Sequence, residues 1–325
     1  MAVRLHSIDS EAIAGIECIR LRAPDATMAE IVPAWGGSCM ALRIGDLAVL
    51  DAAPFEEIAR KPTAYGIPIL FPFPNRIRDG RFAFDGREYP VDPPRHGLVR
   101  DKPWTVVGRG ASESEGAWVT VALDARDHER TILACFPFPF RIAVTYRLRA
   151  NALELTVAAS NTGDRAMPAG FGIHPYFHAH DGATVSVPAE RRWELVDSLP
   201  TGRTLAVEGR YDLRRPRPIG GLELDDVYTA LAADADGRVR CVIDDPSVRR
   251  TVIEVDPRAL PEVVVYTPPP PRAAICVEPQ SCPTDAFNLA ARGIDAHVVR
   301  LAPGEEARWS IIVRSESIQD SGGSP

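Results

Sequence analysis

The chain has 325 residues, a length that suits one large or two ordinary domains and allows a sizeable core. Its formal charge of −7 excludes a general polyanion binder, because nucleic-acid binding rests on a basic surface that neutralises phosphates. Of 37 basic residues only Lys61 and Lys102 are Lys, so any anion contact is expected to be a guanidinium fork.

Met1 to Asp9 shows no basic flank followed by an apolar stretch, and no apolar run reaches membrane-spanning length. A cytoplasmic protein with no membrane or nucleic-acid partner is therefore expected. Cys18, Cys39, Cys135, Cys241, Cys276 and Cys282 are scattered without a C-x-x-C pair, in a chain large enough to need no staples. They are expected to be free, mostly buried thiols.

In chain order, Pro54 to Arg60 has room for two helical turns. In Tyr65-Gly66-Ile67-Pro68-Ile69-Leu70-Phe71-Pro72-Phe73-Pro74-Asn75-Arg76-Ile77, alternating prolines hold an extended path that delivers Asn75 and Arg76 at its end. Arg76 there would fork onto hydroxyls or a carboxylate, or else form a rim salt bridge. Asp85-Gly86, between the aromatic-bearing arms of Arg81 to Tyr89, is the strongest hairpin signal. Pro93-Pro94-Arg95-His96-Gly97-Leu98 then sets a histidine after two rigid residues and before a glycine that permits close approach.

Period-two alternation predicts strands over Ala117 to Leu123, Arg141 to Leu148 and Leu153 to Ser160. Phe171-Gly172-Ile173-His174-Pro175-Tyr176-Phe177-His178 follows. Its His174 reads either as a core imidazole or as a proton donor flanked by rings suited to a sugar face. Pro175 disfavours helical geometry at His174, and His174, His178 and His180 offer fewer ligands at defined spacing than a metal site needs, so no metal is expected.

The carboxylates of Asp225 and Asp226, within Gly221 to Tyr228, would point oppositely in a strand, so only one faces a site; an acidic turn is the plainer reading. Further strands are expected over Arg238 to Ile243, Arg250 to Val255, Val263 to Tyr266, Val298 to Leu301 and Arg308 to Val313. Pro268 to Pro271 reads as a stiff loop within one domain. In Ala273 to Asn288, alternation puts Ile275 and Val277 on one face and Cys276 and Glu278 on the other. A carboxylate thus ends an apolar strand, where desolvation raises its pKa toward a useful base unless an Arg pairs with it. Thr284 to Ala290 is a short helix ended by Gly293. Thirty prolines and 24 glycines mark many turns, so the expected fold is all-β: a large antiparallel β-sandwich with few short helices, one domain over 1–314, and a fraying tail over 315–325.

At these segments the chain resembles the aldose 1-epimerase (mutarotase) family, from Ala34-Trp35-Gly36-Gly37 to Trp309. The matching elements are Gly66-Ile67-Pro68 to Leu70-Phe71-Pro72, Asn75-Arg76-Ile77, Gly80 and Gly86, His96-Gly97 with Trp104, Gly172-Ile173-His174-Pro175-Tyr176-Phe177, Leu224-Asp225-Asp226-Val227-Tyr228, and Glu278-Pro279-Gln280-Ser281 with Pro283, Asp285 and Asn288. The resemblance implies a mutarotase-like supersandwich with a sugar cleft and neither metal nor organic cofactor. It implies Glu278 as general base on the anomeric hydroxyl and His174 as general acid on the ring oxygen. Arg76, His96 and Asp225, with Asn75 beside Arg76, are implied to bind sugar hydroxyls; Asp226, one position away, departs from the commoner Asp-His form.

Other activities fit the same fold. A phosphohexose mutarotase would use Arg78, Arg95 or Arg100 on a phosphate. A non-catalytic sugar-binding protein would keep the fold without the chemistry, and a glycosidase would pair Glu278 with Asp225. Sugar selectivity is expected from loops such as Ala125 to Pro139 and Ser198 to Pro218. The sequence leaves the sugar and the oligomeric state open.

Overall fold

Strands that alternate apolar and polar residues each have one face to bury, and this chain buries them by stacking sheets in which every pairing is antiparallel. The computed structural model describes residues 5–245 and 249–317. One sheet has nine strands, in the spatial order Arg217–Pro218, Thr184–Ser186, Val239–Asp245, Arg249–Val255, Glu306–Ser317, Ala152–Asn161, Phe140–Arg149, Gly116–Asp124 and Thr105–Ser112. The other large sheet runs Leu199–Ala206, Ala189–Val196, Asp225–Leu231, Glu262–Tyr266, Ala274–Gln280, Gly172–Ile173 and Ile69–Leu70, with Tyr176–His178 also paired to Ala274–Gln280.

The strands expected from alternation are present; most are longer at their ends by a residue or a few, whereas Val239–Asp245 and Val299–Leu301 each begin one residue later than expected. The alternating set Ala117, Val119, Val121 and Leu123 is buried, while Trp118 and Thr120 are half-buried on the other face. Asp85 and Gly86, both at positive φ (50° and 71°), close the expected hairpin. Short helices span Phe55–Arg60 and Ala286–Ala291.

A five-stranded sheet over Ser7–Ile13, Ile16–Arg22, Thr27–Val32, Ser38–Ile44 and Leu47–Ala48 has no counterpart among the expected elements. Its edge strand Ser7–Ile13 has no buried residue, so the apolar period that marks a half-buried strand is missing. The last strand also continues past the expected start of the tail. Ser315 is buried, donates its N–H to Asn151 O and bonds the Thr251 hydroxyl at 3.0 Å, whereas 318–325 lie outside the described residues.

The core joins the sheets through aromatic rings. Phe171, which leads into Gly172–Ile173, stacks on Trp309 of the nine-stranded sheet at 5.0 Å, and Phe71 meets Phe140 edge-on at 4.9 Å. All six cysteines are free, and only Cys135 is not fully buried. Among the described residues no helix is long and apolar enough to cross a membrane. Removing the fully buried Phe171 ring would open a cavity in the core and strip Trp309 of its stacking partner. Phe171→Ala is expected to cost about 3–5 kcal/mol, read as a lower urea midpoint with unchanged m-value.

Candidate active site

The site begins with strand register. Gly172 pairs with Gln280 and Tyr176 with Cys276, so the intervening His174 sits directly across from Glu278. Cross-strand neighbours project to the same face. Here their side chains meet, with His174 Nε2 3.2 Å from Glu278 Oε1. The ladder is interrupted at His174-Pro175, where Pro175 has no N–H to give. His174 and Tyr176 instead donate their N–H groups to Pro68 O and Gly66 O. Ile275 and Val277, on the opposite face of the strand, lie in the main core. Alternation therefore separates core from site as the sequence suggests.

This face of the sheet floors a cavity of about 450 Å³, whose lining includes Asn75, Arg76, His96, His174, Asp225 and Glu278. All six residues singled out from the sequence thus come together from five separate stretches. Asp225 rather than Asp226 faces the cavity: its Oδ2 accepts from Arg76 Nη2 at 3.1 Å, while Asp226 is buried on the other side of the strand, 3.5 Å from Arg192. Asn75 Oδ1 accepts from the Arg76 backbone N–H at 2.8 Å and from Arg76 Nη1 at 3.3 Å, fixing that side chain from behind.

His96 is placed by the glycine that follows it. Gly97 has φ of 69°, and a Cβ there would lie 2.3 Å from Phe71 O, so only glycine permits this approach. The His96 Nδ1–H donates to Pro74 O at 3.1 Å, which leaves Nε2 as an acceptor. Burial lowers the His96 pKa, and His174 and Arg100 lower it further, so the ring stays neutral.

The central pair is governed by burial. Desolvation raises the Glu278 carboxyl well above its usual range, with Asp225 adding to the rise, against a 3.1 Å hydrogen bond from Gln280 Nε2 and the charge of Arg76. Burial pushes His174 down to about 3, and Arg100 and Arg95 contribute in the same direction. Among the described residues His174 Nδ1 has no hydrogen-bond partner, and a contribution from the residue's own backbone only partly opposes the effect of burial. Burial thus favours a neutral pair, with the carboxyl proton donated to Nε2, rather than the ion pair that its distance alone would suggest.

Several contributors were not expected. Tyr176 stacks on the His174 ring at 4.7 Å, and the Arg272 guanidinium lies over Tyr176 at 4.1 Å while donating to Asp51 at 2.6 Å. Gln280 was legible in principle, since it lies two residues beyond Glu278 on the same strand face. The Arg272–Asp51 pair joins distant parts of the chain and leaves no local signal. Asp285 takes N–H groups from Arg78 at 2.9 Å and from Asn288 Nδ2 at 2.6 Å, and its own N–H goes to Arg76 O at 2.8 Å. The Glu278-to-Asn288 stretch thereby clamps the segment that carries Arg76.

Two expectations are corrected. Arg78 does not line the cavity; its guanidinium is held by Pro200 O at 3.3 Å and by Asp285 at 3.5 Å. Ala125 to Pro139 and Ser198 to Pro218 do not line it either; the walls come from Lys61 to Ala64 and Pro268 to Arg272. His178 and His180 pack against each other at 4.8 Å, away from the cavity lining that holds His174. Among the described residues one set of three groups is close enough to share a metal, His174, Cys276 and Glu278, with ligand atoms within 4.8 Å. Burial holds the Cys276 thiol well above its usual pKa, so it does not readily supply the thiolate a metal would take.

The stacked antiparallel sheets and their floor of paired imidazole and carboxyl define a protein of the galactose mutarotase-like β-sandwich class. The chain belongs to the aldose 1-epimerase family, whose model matches residues 17–314. An uncharacterized Escherichia coli protein, YihR, is 29% identical over 72% of this chain and 74% of its own. The rat galactose mutarotase is 29% identical over 63% of this chain and 62% of its own. A galactose mutarotase-like protein from Clostridium acetobutylicum superposes with a TM-score of 0.86, covering 96% of this chain and 99% of its own at 24% identity, a likeness of fold.

Asp285 is a positioning residue, so its loss should loosen the Arg76 segment and leave the His174–Glu278 contact alone. Asp285→Ala is expected to cost roughly 1–3 kcal/mol of stability and to raise KM for the sugar several-fold with little change in kcat. A fall in kcat without a change in KM would contradict that role.

Proposed function

We propose that the protein interconverts the α and β anomers of an aldohexose by acid–base-catalysed ring opening and reclosure. The observation that carries this reading is the 3.2 Å contact between two buried groups of opposite proton character on a cavity floor. The anomeric hydroxyl oxygen and the ring oxygen share one carbon, so neighbouring groups on one face reach both. Glu278 takes the proton of the anomeric hydroxyl, His174 gives one to the ring oxygen, and the bond between C1 and the ring oxygen breaks to leave an open-chain aldehyde. Rotation about C1–C2 turns the other face of the aldehyde to the chain. Reclosure then runs with the roles exchanged: the Glu278 carboxyl returns its proton to the carbonyl oxygen and His174 removes one from the attacking hydroxyl. Atoms and electrons balance with protons alone, so the reaction calls for no redox partner or cofactor.

The remaining groups hold hydroxyls. Arg76 donates, Asp225 and His96 Nε2 accept, and Asn75 keeps Arg76 in place. A sugar-binding protein without activity would need these hydroxyl contacts but not a buried imidazole–carboxyl pair, whose burial costs stability. Six free thiols support a cytoplasmic location.

Each member of the pair is expected to contribute about 10²- to 10⁴-fold. Glu278→Gln and His174→Asn should therefore lose at least a hundred-fold in anomer exchange, measured by polarimetry or exchange NMR, with unchanged circular dichroism; near-normal turnover in either variant would refute the assignment. Burial lowers His174 to about 3, so the imidazole has no titration of its own near neutrality, while the same burial raises Glu278. For a neutral aldose, the pH profile of kcat/KM should then show no limb from a His of ordinary pKa. An acid limb centred near 6.5, the ordinary value for His, would contradict the lowered pKa.

A further inference from the structure

The acid of the proposed reaction is aimed without the hydrogen bond that usually orients a histidine. An imidazole that works through one nitrogen is ordinarily fixed by a bond at the other, and rotation of the ring about χ2 is otherwise broad. Among the described residues no other residue bonds His174 Nδ1, and Nε2 faces Glu278 in the contact that a bound sugar must share. Ring packing is left to hold the imidazole. His96 and Tyr266 meet it at 80° and 78°, with centroids 5.3 and 6.1 Å away. Tyr176 is its one parallel neighbour among the described residues, 4.7 Å away and inclined by 17°. Tyr176 is itself held down. The Arg272 guanidinium lies over its ring at 4.1 Å and over the Tyr65 ring at 4.7 Å. Arg272 Nε donates to Asp51 at 2.6 Å and Nη2 to Ala64 O at 2.7 Å, so the planar group is fixed at two points. Asp51 also donates its backbone N–H to Tyr176 O at 2.8 Å, which ties the anchor of the cation to the strand that carries the ring. Four prolines, Pro268 to Pro271, lead into Arg272 and restrict its backbone.

We propose that Arg272 is a positioning residue for the acid–base step: anchored by Asp51 and Ala64 O, its guanidinium pins the Tyr176 ring, and that ring keeps the His174 imidazole turned with Nε2 toward the reacting oxygen. This inference rests on the mutarotase reading, because that reading makes His174 the acid. A planar cation on an aromatic face restrains the ring without a hydrogen bond, and the tyrosine passes the restraint to the imidazole as a flat surface. Arg272 also lines the cavity, so a direct bond to the sugar is the competing role. The two roles differ in what they change. A sugar ligand lost raises KM, whereas an acid that swings out of line lowers kcat.

The test uses Arg272→Lys and Asp51→Ala. Lysine keeps the charge and a donor for Asp51 but has no planar face to lay on a ring. Asp51 does not line the cavity, so contact with the sugar cannot account for an effect of its loss. With the aldohexose that the unaltered protein accelerates best, Arg272→Lys should lower kcat about ten-fold or more with KM held within about two-fold. Asp51→Ala should shift kcat the same way, and the double variant should lose less than the product of the two, because both act through one ring. A raised KM with kcat kept, or unchanged kcat in both variants, would overturn the proposal while leaving the mutarotase reading standing. A second measurement does not depend on turnover. In imidazole 15N spectra, with His174 assigned by its loss in His174→Asn, the unaltered protein should show one neutral tautomer carrying its proton on Nδ1. In Arg272→Lys and Asp51→Ala the His174 signals should broaden or move toward the average of the two tautomers. His174 signals unchanged in both variants reject the positioning role even where kcat falls. If the unaltered protein accelerates no aldose, the mutarotase reading fails, and these spectra alone decide whether Arg272 orients the imidazole.

Discussion

The register between Gly172–Tyr176 and Cys276–Gln280 is the constraint on which the rest of the molecule depends. Side chains alternate along a strand, so a slip of one residue would turn Glu278 into the core and push Val277 into the cavity. The apolar residues that fix the register, Ile275 and Val277, and the group that reacts, Glu278, therefore lie on opposite faces of one strand. Packing of Phe171 on Trp309 holds the partner strand down onto the nine-stranded sheet, and Pro175 releases the ladder at the position where a side chain must serve chemistry. Stability and reactivity share the strand but not the face.

That division explains why the strands and the main site residues were legible in the sequence. The alternation Ile275-Cys276-Val277-Glu278 states which residues go inward, and it survives folding because burial enforces it. Pro72, Pro74 and the pair His96-Gly97 were equally readable, since fixed φ and the need for a missing Cβ are local properties. The choice between Asp225 and Asp226 was not readable: alternation says that they diverge, and only the pairing of Asp225–Leu231 with Glu262–Tyr266 decides which one turns toward Arg76. Cavity walls were misjudged for a related reason. Lys61 to Ala64 and Arg272 reach the site through the long-range Arg272–Asp51 pair and the contact with Ala64 O, which no local pattern encodes. Within the N-terminal sheet the edge strand Ser7–Ile13 was invisible because it has no buried residue to set a period.

The same burial that places the pair also sets its protons. In water an imidazole and a carboxyl in contact would exchange their proton to form an ion pair; desolvated on a cavity floor, both charges are penalised and the proton stays on Glu278. Under the proposed mechanism this is the arrangement of the open-chain stage, with Glu278 protonated and His174 neutral. Reclosure therefore starts from the proton placement that burial favours, and ring opening starts from the one it disfavours. The two halves of the reaction are chemically mirror images but not energetically equal on so desolvated a floor.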